Sequence, residues 1–288
     1  MFAEMTIKEV YFLFVSELRT FYKDGEAIAI TNIVFEHFAK LNSTAIVING
    51  KLEMNDEVFI LVQQALLKLK NHIPVQYITG KAWFYNLNFE VNNAVLIPRS
   101  ETEELVLEAI NFLKNTKDRR VLDIGTGSGC IPISIKKNVT NADVTSIDVS
   151  KSALEVAERN AALNSTKINF LELNFLDENN YTVLPSYNLI ISNPPYIPEK
   201  EKDILDKNVT AYEPHLALFV PDNDHLIFYR NIVIFAQNHL QLNGKILLEI
   251  HEDFATETAA LFLAEKYIVE IKKDMQDKDR MLIIYRYR

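Results

Sequence analysis

Apolar positions early in the chain recur at the spacing of a helix face. Ile7, Val10, Tyr11, Phe14, Val15 and Leu18 follow i, i+3, i+4, i+7, i+8 and i+11, which a 3.6-residue turn gathers on one side. Thr6, with Glu9 three residues on, is a capping-box pattern at the start of that stripe. A second helical stretch spans Ile28 to Phe38, and Asn55-Asp-Glu opens a third that carries Val58, Phe59, Val62, Leu66 and Leu69. Gly25 and Gly50 are the only breakers before residue 72, and there is no proline. Residues 1–72 are therefore predicted to form a small helical bundle. It has no catalytic constellation of its own, so binding or orientation is its expected job.

The period then changes. Asn71-His-Ile-Pro74 reads as a linker, and Tyr77 to Val91 reads as a hairpin, rich in β-branched and aromatic residues around Gly80, Asn86 and Asn88. Residues 73–97 are assigned to linker and hairpin. Ser100 is the expected N-cap of the next helix, with Glu103 at its third position. Strand and helix patterns then alternate. Strands are predicted at Arg120–Ile124, Val144–Asp148, Ile168–Leu173, Asn188–Ser192, Lys245–Ile250, Tyr267–Lys272 and Met281–Tyr287. Helices are predicted from Ile131, over Ser152–Asn164 and over about 226–241. Residues 98–288 thus predict an α/β unit with a doubly wound, mostly parallel sheet.

Composition narrows the setting. A 48% hydrophobic fraction supplies a sizeable core, and a net charge of −9 with no Lys/Arg cluster longer than Asp118-Arg119-Arg120 or Lys136-Lys137 argues against a nucleic-acid platform. No apolar run approaches the ~18 residues of a membrane helix. The N-terminal residues lack a basic segment followed by an apolar one, so neither membrane nor secretion is expected. The single cysteine, Cys130, cannot form an intrachain disulfide, which fits a reducing cytoplasm. It is read as a small packed hydrophobe. The six histidines are scattered without ligand spacing, so no metal site is expected.

Three motifs carry chemistry. Of the seven glycines, three sit in Asp123-Ile-Gly125-Thr-Gly127-Ser-Gly129, between a predicted strand and helix. Glycines there let backbone pass close to a ligand, and the helix behind favours a carboxylate. Asp148 ends the next strand, where an acid suits the two hydroxyls of a ribose. Glycine loop and acid together fit either a nicotinamide cofactor or S-adenosylmethionine, although G-x-G-x-G is not the dinucleotide spacing. Asn193-Pro194-Pro195-Tyr196 closes a buried strand. Two prolines remove two N–H donors and stiffen the backbone. What remains is an edge of bare carbonyls beside an Asn side chain, able to accept both hydrogens of a planar –NH2. An amide nitrogen is a poor nucleophile because its lone pair is delocalised, and holding its hydrogens frees that pair.

The combination resembles the class I methyltransferases that modify planar amine or amide nitrogens. Pro74-Val-Gln-Tyr-Ile-Thr-Gly80, Leu96-Ile-Pro-Arg-Ser-Glu-Thr-Glu103, Asn193-Pro-Pro-Tyr-Ile197, Tyr212-Glu-Pro-His-Leu-Ala-Leu218 and Leu248-Glu-Ile250 occur in one order. That set, over essentially the whole chain, is similar to the PrmC/HemK protein-glutamine methyltransferases. The resemblance implies a class I methyltransferase fold, with an N-terminal helical domain that recognises the substrate. It implies methyl transfer from S-adenosylmethionine, leaving S-adenosylhomocysteine, to the glutamine of the Gly-Gly-Gln motif in class I peptide chain release factors. It would place Gly125, Thr126, Gly127, Ser128 and Gly129 along the methionine part of the cofactor, Asp148 on the ribose and Phe175 beside the adenine. Asn193 and Pro194 would accept the glutamine –NH2 through their carbonyls, next to the cofactor, with Pro195 and Tyr196 completing the substrate site. Arg99 and Glu101 fall in a family motif with no role assigned. Ser100 stands in place of a usual proline, Asn174 in place of a common acid, and Val220–His225 lacks the usual glycines. A ribosomal-protein glutamine or the exocyclic amine of adenine in nucleic acid stands as the alternative substrate.

Overall fold

The computed structural model describes residues 5–286, in two units. The first comprises the chain through Gly80 together with Asp206–Tyr212. Its helices are α1 Ile7–Leu18, α2 Asp24–Val34, α3 Ser43–Asn49, α4 Asp56–Lys70 and α5 Val75–Thr79. The capping box forms: Thr6 Oγ1 accepts from the Glu9 amide at 3.4 Å, and Glu9 Oε2 accepts from the Thr6 amide at 2.8 Å. Asn55 caps α4, as its position predicts. The second helix begins earlier than the predicted Ile28, with Asp24 and Glu26 in its first turn where the helix dipole favours acids. It ends in a π-turn over Phe35–Ala39, closed by Lys40 at φ 58°. Val10, Phe14, Leu18, Val34, Phe35, Val62 and Leu69 form its core.

One expectation fails here. Residues 75–79 are a single helical turn rather than the start of a hairpin. Pro74 precedes that turn, and Gly80 stops it in the left-handed conformation at φ 69°. The neighbouring helix α3 carried no readable period because it is only seven residues long.

The second unit holds Lys81–Leu205 and the chain from Glu213 onward. Strands β1 Lys81–Phe84 and β2 Leu87–Glu90 pair antiparallel about Tyr85 and Asn86, which have φ 49° and 60°, the geometry of a two-residue hairpin turn. There follow α6 Glu101–Lys114, β3 Arg120–Ile124, α7 Cys130–Asn138, β4 Asp143–Asp148, α8 Lys151–Leu163, β5 Asn169–Glu172 and β6 Tyr187–Ser192. A short strand β7 Ile197–Pro198 precedes α9 Lys207–Tyr212, which belongs to the helical unit, where Tyr212 donates to the Asn71 carbonyl at 2.7 Å. β8 Phe219–Val220, α10 Ile227–His239, β9 Leu240–Glu249, α11 Ala255–Ala264, β10 Ile268–Lys273 and β11 Asp279–Tyr285 complete the chain. Tyr287, the predicted end of the last strand, lies outside the described residues.

The main sheet runs β10-β11-β9-β6-β3-β4-β5. β3, β4, β5, β6 and β9 are parallel; at one edge β11 pairs antiparallel with β9, and β10 pairs antiparallel with β11. β6 is buried at all six positions. Leu189 and Ile191 enter one apolar cluster with α6 and α7, and Ile190 enters the other with α10 and α11. Two covered faces explain why this strand reads as a continuous apolar run. From β3 the chain winds outward through β4 and β5, then returns to β6 on the other side of β3. Such a reversal opens a crevice at the strands' carboxyl ends.

Ser100 does not cap α6. It already has helical angles, φ −60° and ψ −34°, and accepts no amide through its side chain. Its hydroxyl donates to Glu101 instead, and Glu103 accepts the Tyr85 amide at 2.9 Å. A φ of −60° is also what proline imposes, so either residue suits the position. The Val220–His225 loop needs no glycine, since none of its residues has a positive φ.

Candidate active site

A cavity of about 370 Å³ lies at the crevice, within the size range of small-ligand sites. Gly125, Thr126, Gly127, Ser128, Asp148, Phe175, Asn193 and Pro195 line it. Gly129, Pro194 and Tyr196 do not belong to its wall.

The glycine loop is held open from behind. The Gly125 and Thr126 amides both donate to the Ile147 carbonyl, at 2.9 and 3.0 Å, tying the loop to the end of β4. All three glycines have positive φ: 75°, 53° and 79°. Their surroundings differ. A methyl added at Gly125 or Gly127 would meet nothing within 4 Å, whereas one at Gly129 would meet Ile133 and Ala157 at 3.0–3.1 Å. The first two therefore face open space and the third makes room for α8.

Asp148 accepts the Gly127 amide through one oxygen and the Ser150 amide through the other, each at 2.9 Å. Helix α8 is capped by Ser150, not by Asp148. Each Asp148 oxygen keeps a lone pair for a further donor. Burial raises its pKa, and the Ser150 and Gly127 amides work against that rise. Phe175 reaches the cavity but is almost wholly buried, packing on Tyr181 and Phe235 with ring centroids 5.2 and 5.6 Å away. Asn174 beside it turns its side-chain oxygen to the Leu176 amide.

Across the cavity, β6 delivers Asn193. The Ser192 hydroxyl donates to the Ile124 carbonyl at 2.7 Å, locking the ends of β6 and β3 together. The Ile197 amide donates to the Leu218 carbonyl, so Asn-Pro-Pro-Tyr is anchored at both ends. Asn193 Nδ2 donates to Thr102 Oγ1 at 3.2 Å; Thr102 donates to Glu249 Oε2 at 2.6 Å; Tyr196 donates to Glu249 Oε1 at 3.2 Å. Burial raises the Glu249 pKa, opposed by the Thr102 hydroxyl, the Arg280 charge and the Tyr196 hydroxyl.

The sequence reading left several of these residues without roles. Thr102 and Glu249 stood inside quoted motifs, but their meeting depends on packing of α6 against β9 and has no local signature. Arg99 lines the cavity and pairs with Glu213 at 2.6 Å, while Glu213 also accepts the Ile97 amide at 3.1 Å. That buried carboxylate fixes the Leu96–Arg99 wall. Glu101, by contrast, accepts from the exposed Ser100 and Gln276 side chains. Cys130 lines the cavity, but burial pushes its thiol up to about 12. It therefore carries no thiolate at neutral pH. Among the described residues, no group of three or more His, Cys, Asp or Glu is placed to hold a metal ion. No described helix is long and apolar enough to cross a membrane.

Asp123 is the other residue that sequence reasoning quoted without a role. It is fully buried under the loop, and neither carboxylate oxygen has a hydrogen-bond partner among the described residues. Burial raises its pKa to about 7, with the Asp148 charge adding to the rise and Thr126 and Ser146 lowering it. Their hydroxyls stay outside hydrogen-bonding geometry. A folded pKa above the unfolded one means the carboxyl costs stability once ionised. That cost grows as pH rises from about 4 to about 7, reaching up to about 4 kcal/mol. The variant Asp123→Asn should therefore lose less stability than the parent between pH 5 and pH 8. Denaturant midpoints at the two pH values measure this, and equal losses in both proteins would refute it.

A sheet of this topology, with its cavity at the reversal, is the class I methyltransferase fold. Residues 104–217 match the family described as Methyltransferase small domain, and residues 14–80 match PrmC N-terminal domain. A release factor glutamine methyltransferase from Flavobacterium psychrophilum is 42% identical over 284 residues, covering 96% of this chain and 98% of its own length. One from Lactococcus lactis is 38% identical, covering 94% of this chain and 99% of its own. A Pyrococcus furiosus methyltransferase structure superposes with a TM-score of 0.50 at 20% identity, over 78% of this chain and 98% of that one, a likeness of fold. The chain belongs to the release factor glutamine methyltransferase family.

Proposed function

We propose that this chain methylates the side-chain amide of the glutamine in the Gly-Gly-Gln motif of class I peptide chain release factors, using S-adenosylmethionine. The observation that carries this reading is the Asn193 amide, tethered through Thr102 to Glu249 at the edge of a cavity whose opposite wall holds the glycine loop and Asp148.

The residues present fit the cofactor. Asp148 has acceptor capacity for two vicinal hydroxyls. Thr126 Oγ1 is buried and without a partner among the described residues, and open space lies before Gly125 and Gly127. Phe175 offers an aromatic wall for adenine. Buried beneath the loop without a partner among the described residues, Asp123 would be drawn toward its ionised form by a cationic ligand. When bound, S-adenosylmethionine supplies an electrophilic methyl on a positively charged sulfur. Asn193 and Pro194 then accept the two hydrogens of the glutamine –NH2 and expose its lone pair. Transfer of that methyl would form the N–C bond as the S–C bond breaks and would release one amide proton, so these residues would need only to hold the nitrogen in line with the methyl. No strong general base is needed at neutral pH.

Pro195 and Tyr196 flank the glutamine side chain in this reading. Tyr196 serves as a neutral phenol, because burial and the neighbouring Glu249 charge raise its pKa. The helical unit recognises the release factor, a role supported by its match to PrmC N-terminal domain. It leaves Val47 and Ile48 82% and 75% exposed. Replacing both with Ser should raise KM for the release factor about tenfold, as loss of apolar contact implies, and leave cofactor affinity unchanged; an unchanged KM would remove them from the docking face. The site of action is the cytoplasm, consistent with the lone cysteine.

Incubation with methyl-labelled S-adenosylmethionine and a release factor, followed by mapping of the label, tests the reading. Label on the Gly-Gly-Gln glutamine is expected. Label on a ribosomal protein or on adenine in nucleic acid, with the release factor unmodified, would overturn it.

A further inference from the structure

Glu249 is a buried carboxylate that methyl transfer itself does not use. It ends β9 with 3% of its surface exposed. Register explains its position. Ser192 of β6 pairs with Leu248 of β9, so Asn193 and Glu249 leave the carboxyl edge of the sheet side by side. Thr102, in the first turn of α6, bridges them.

The protons in this chain can be counted. A threonine hydroxyl has one hydrogen, and an ionised carboxylate only accepts. The 2.6 Å contact from Thr102 to Glu249 lies in the short range of hydroxyl–carboxylate bonds. Thr102's single proton is thus committed to Glu249, and what Thr102 presents to Asn193 is a lone pair. Asn193 must turn its NH2 toward Thr102, 3.2 Å away, and its oxygen the other way. With the amide reversed, Asn193 would offer N–H groups to a substrate that is itself an N–H donor. Glu249's second oxygen holds the Tyr196 hydroxyl, so one carboxylate restrains both ends of Asn-Pro-Pro-Tyr.

We propose that Glu249 is a positioning residue: acting through Thr102, it sets which end of the Asn193 amide faces the substrate. This rests on the reading of Asn193 as the acceptor for the glutamine –NH2.

The test compares Thr102→Val, Thr102→Ser, Glu249→Gln and the Thr102→Val/Glu249→Gln double variant. Release-factor methylation is followed at varied substrate concentration, and cofactor affinity by calorimetry. Thr102→Val removes the relay hydroxyl at nearly constant shape. It should lower kcat roughly 10- to 100-fold, the usual effect of a misplaced reacting group, with KM and cofactor Kd changed by less than about threefold. Thr102→Ser should restore most of the lost rate. Glu249→Gln, whose single oxygen can accept from only one of the two hydroxyls, should also lose kcat. The double variant should lose about as much as the worse single one, because both act along one path. Should Thr102→Val fail to fold, Glu249→Gln and Thr102→Ser carry the comparison. Equal kcat in the parent, Thr102→Val and Glu249→Gln would overturn the positioning role while leaving the methyltransferase reading intact. A parent that leaves release factors unmodified would sink both.

Discussion

Asn193→Ala is expected to lower kcat for release-factor methylation by about 10³-fold, while the affinity for S-adenosylmethionine stays within a few-fold of the parent. Removing one preorganised acceptor or donor at a reacting centre typically costs 10²–10³ in rate. Here the lost group also orients the nucleophile, and misorientation adds to the loss. Neither Pro194 nor Pro195 can readily swing a carbonyl into the place of the lost acceptor, since both have fixed φ. The Thr102 hydroxyl would keep its bond to Glu249 and lose only the Asn193 donor. Damage to the fold should be small for that reason. In the proposed arrangement cofactor binding would rest mainly on the opposite wall, at the glycine loop and Asp148. Single-turnover methylation with saturating cofactor separates the chemical step from binding. A kcat within tenfold of the parent would remove Asn193 from the chemistry, and a parallel loss of cofactor affinity would make it a binding residue.

The fold was legible in the chain wherever burial imposes a period. The stripe from Ile7 to Leu18 defined α1 to the residue because its cap, Thr6 with Glu9, is local chemistry. β6 stood out because both its faces are covered. The glycine loop could be read because a strand-to-helix turn with three positive φ angles leaves little choice of residue. Failures came where the deciding partner is remote or the element is short. Val75–Thr79 has strand-like residues but too few to resist a Pro start and a Gly stop. Ser100 had the sequence of a cap but lies inside the helical geometry, where its oxygen is not aimed at an amide. Thr102 and Glu249 are separated by 147 positions, and no spacing rule reaches that far. The glycine loop, Asp148 and Asn193 could be picked out of the sequence and meet at one cavity, whereas Thr102 and Glu249 join Asn193 only when sheet register brings distant strands together.

Asp148→Ala should weaken S-adenosylmethionine binding about 100-fold, close to 3 kcal/mol at 1.4 kcal/mol per factor of ten. A hydrogen bond to a charged group contributes about 1.5–3 kcal/mol, so loss of two to ribose hydroxyls reaches this range even after partial compensation by water. A second effect acts in the same direction. Asp148 also receives the Gly127 and Ser150 amides, and without it the loop loses an anchor on its cavity side. The Gly125 and Thr126 amides remain tied to Ile147, so the loop should stay folded but become less ordered. The two effects are separable. Parent protein should distinguish S-adenosylhomocysteine from its 2′-deoxyribose analogue, since one hydroxyl contact to Asp148 is missing; Asp148→Ala should bind both about equally. Calorimetry on the four combinations gives the coupling directly. If the variant discriminates between the two as strongly as the parent, Asp148 supports the loop without touching the ribose. If its affinity for S-adenosylhomocysteine is unchanged as well, the cofactor does not lie against the end of β4.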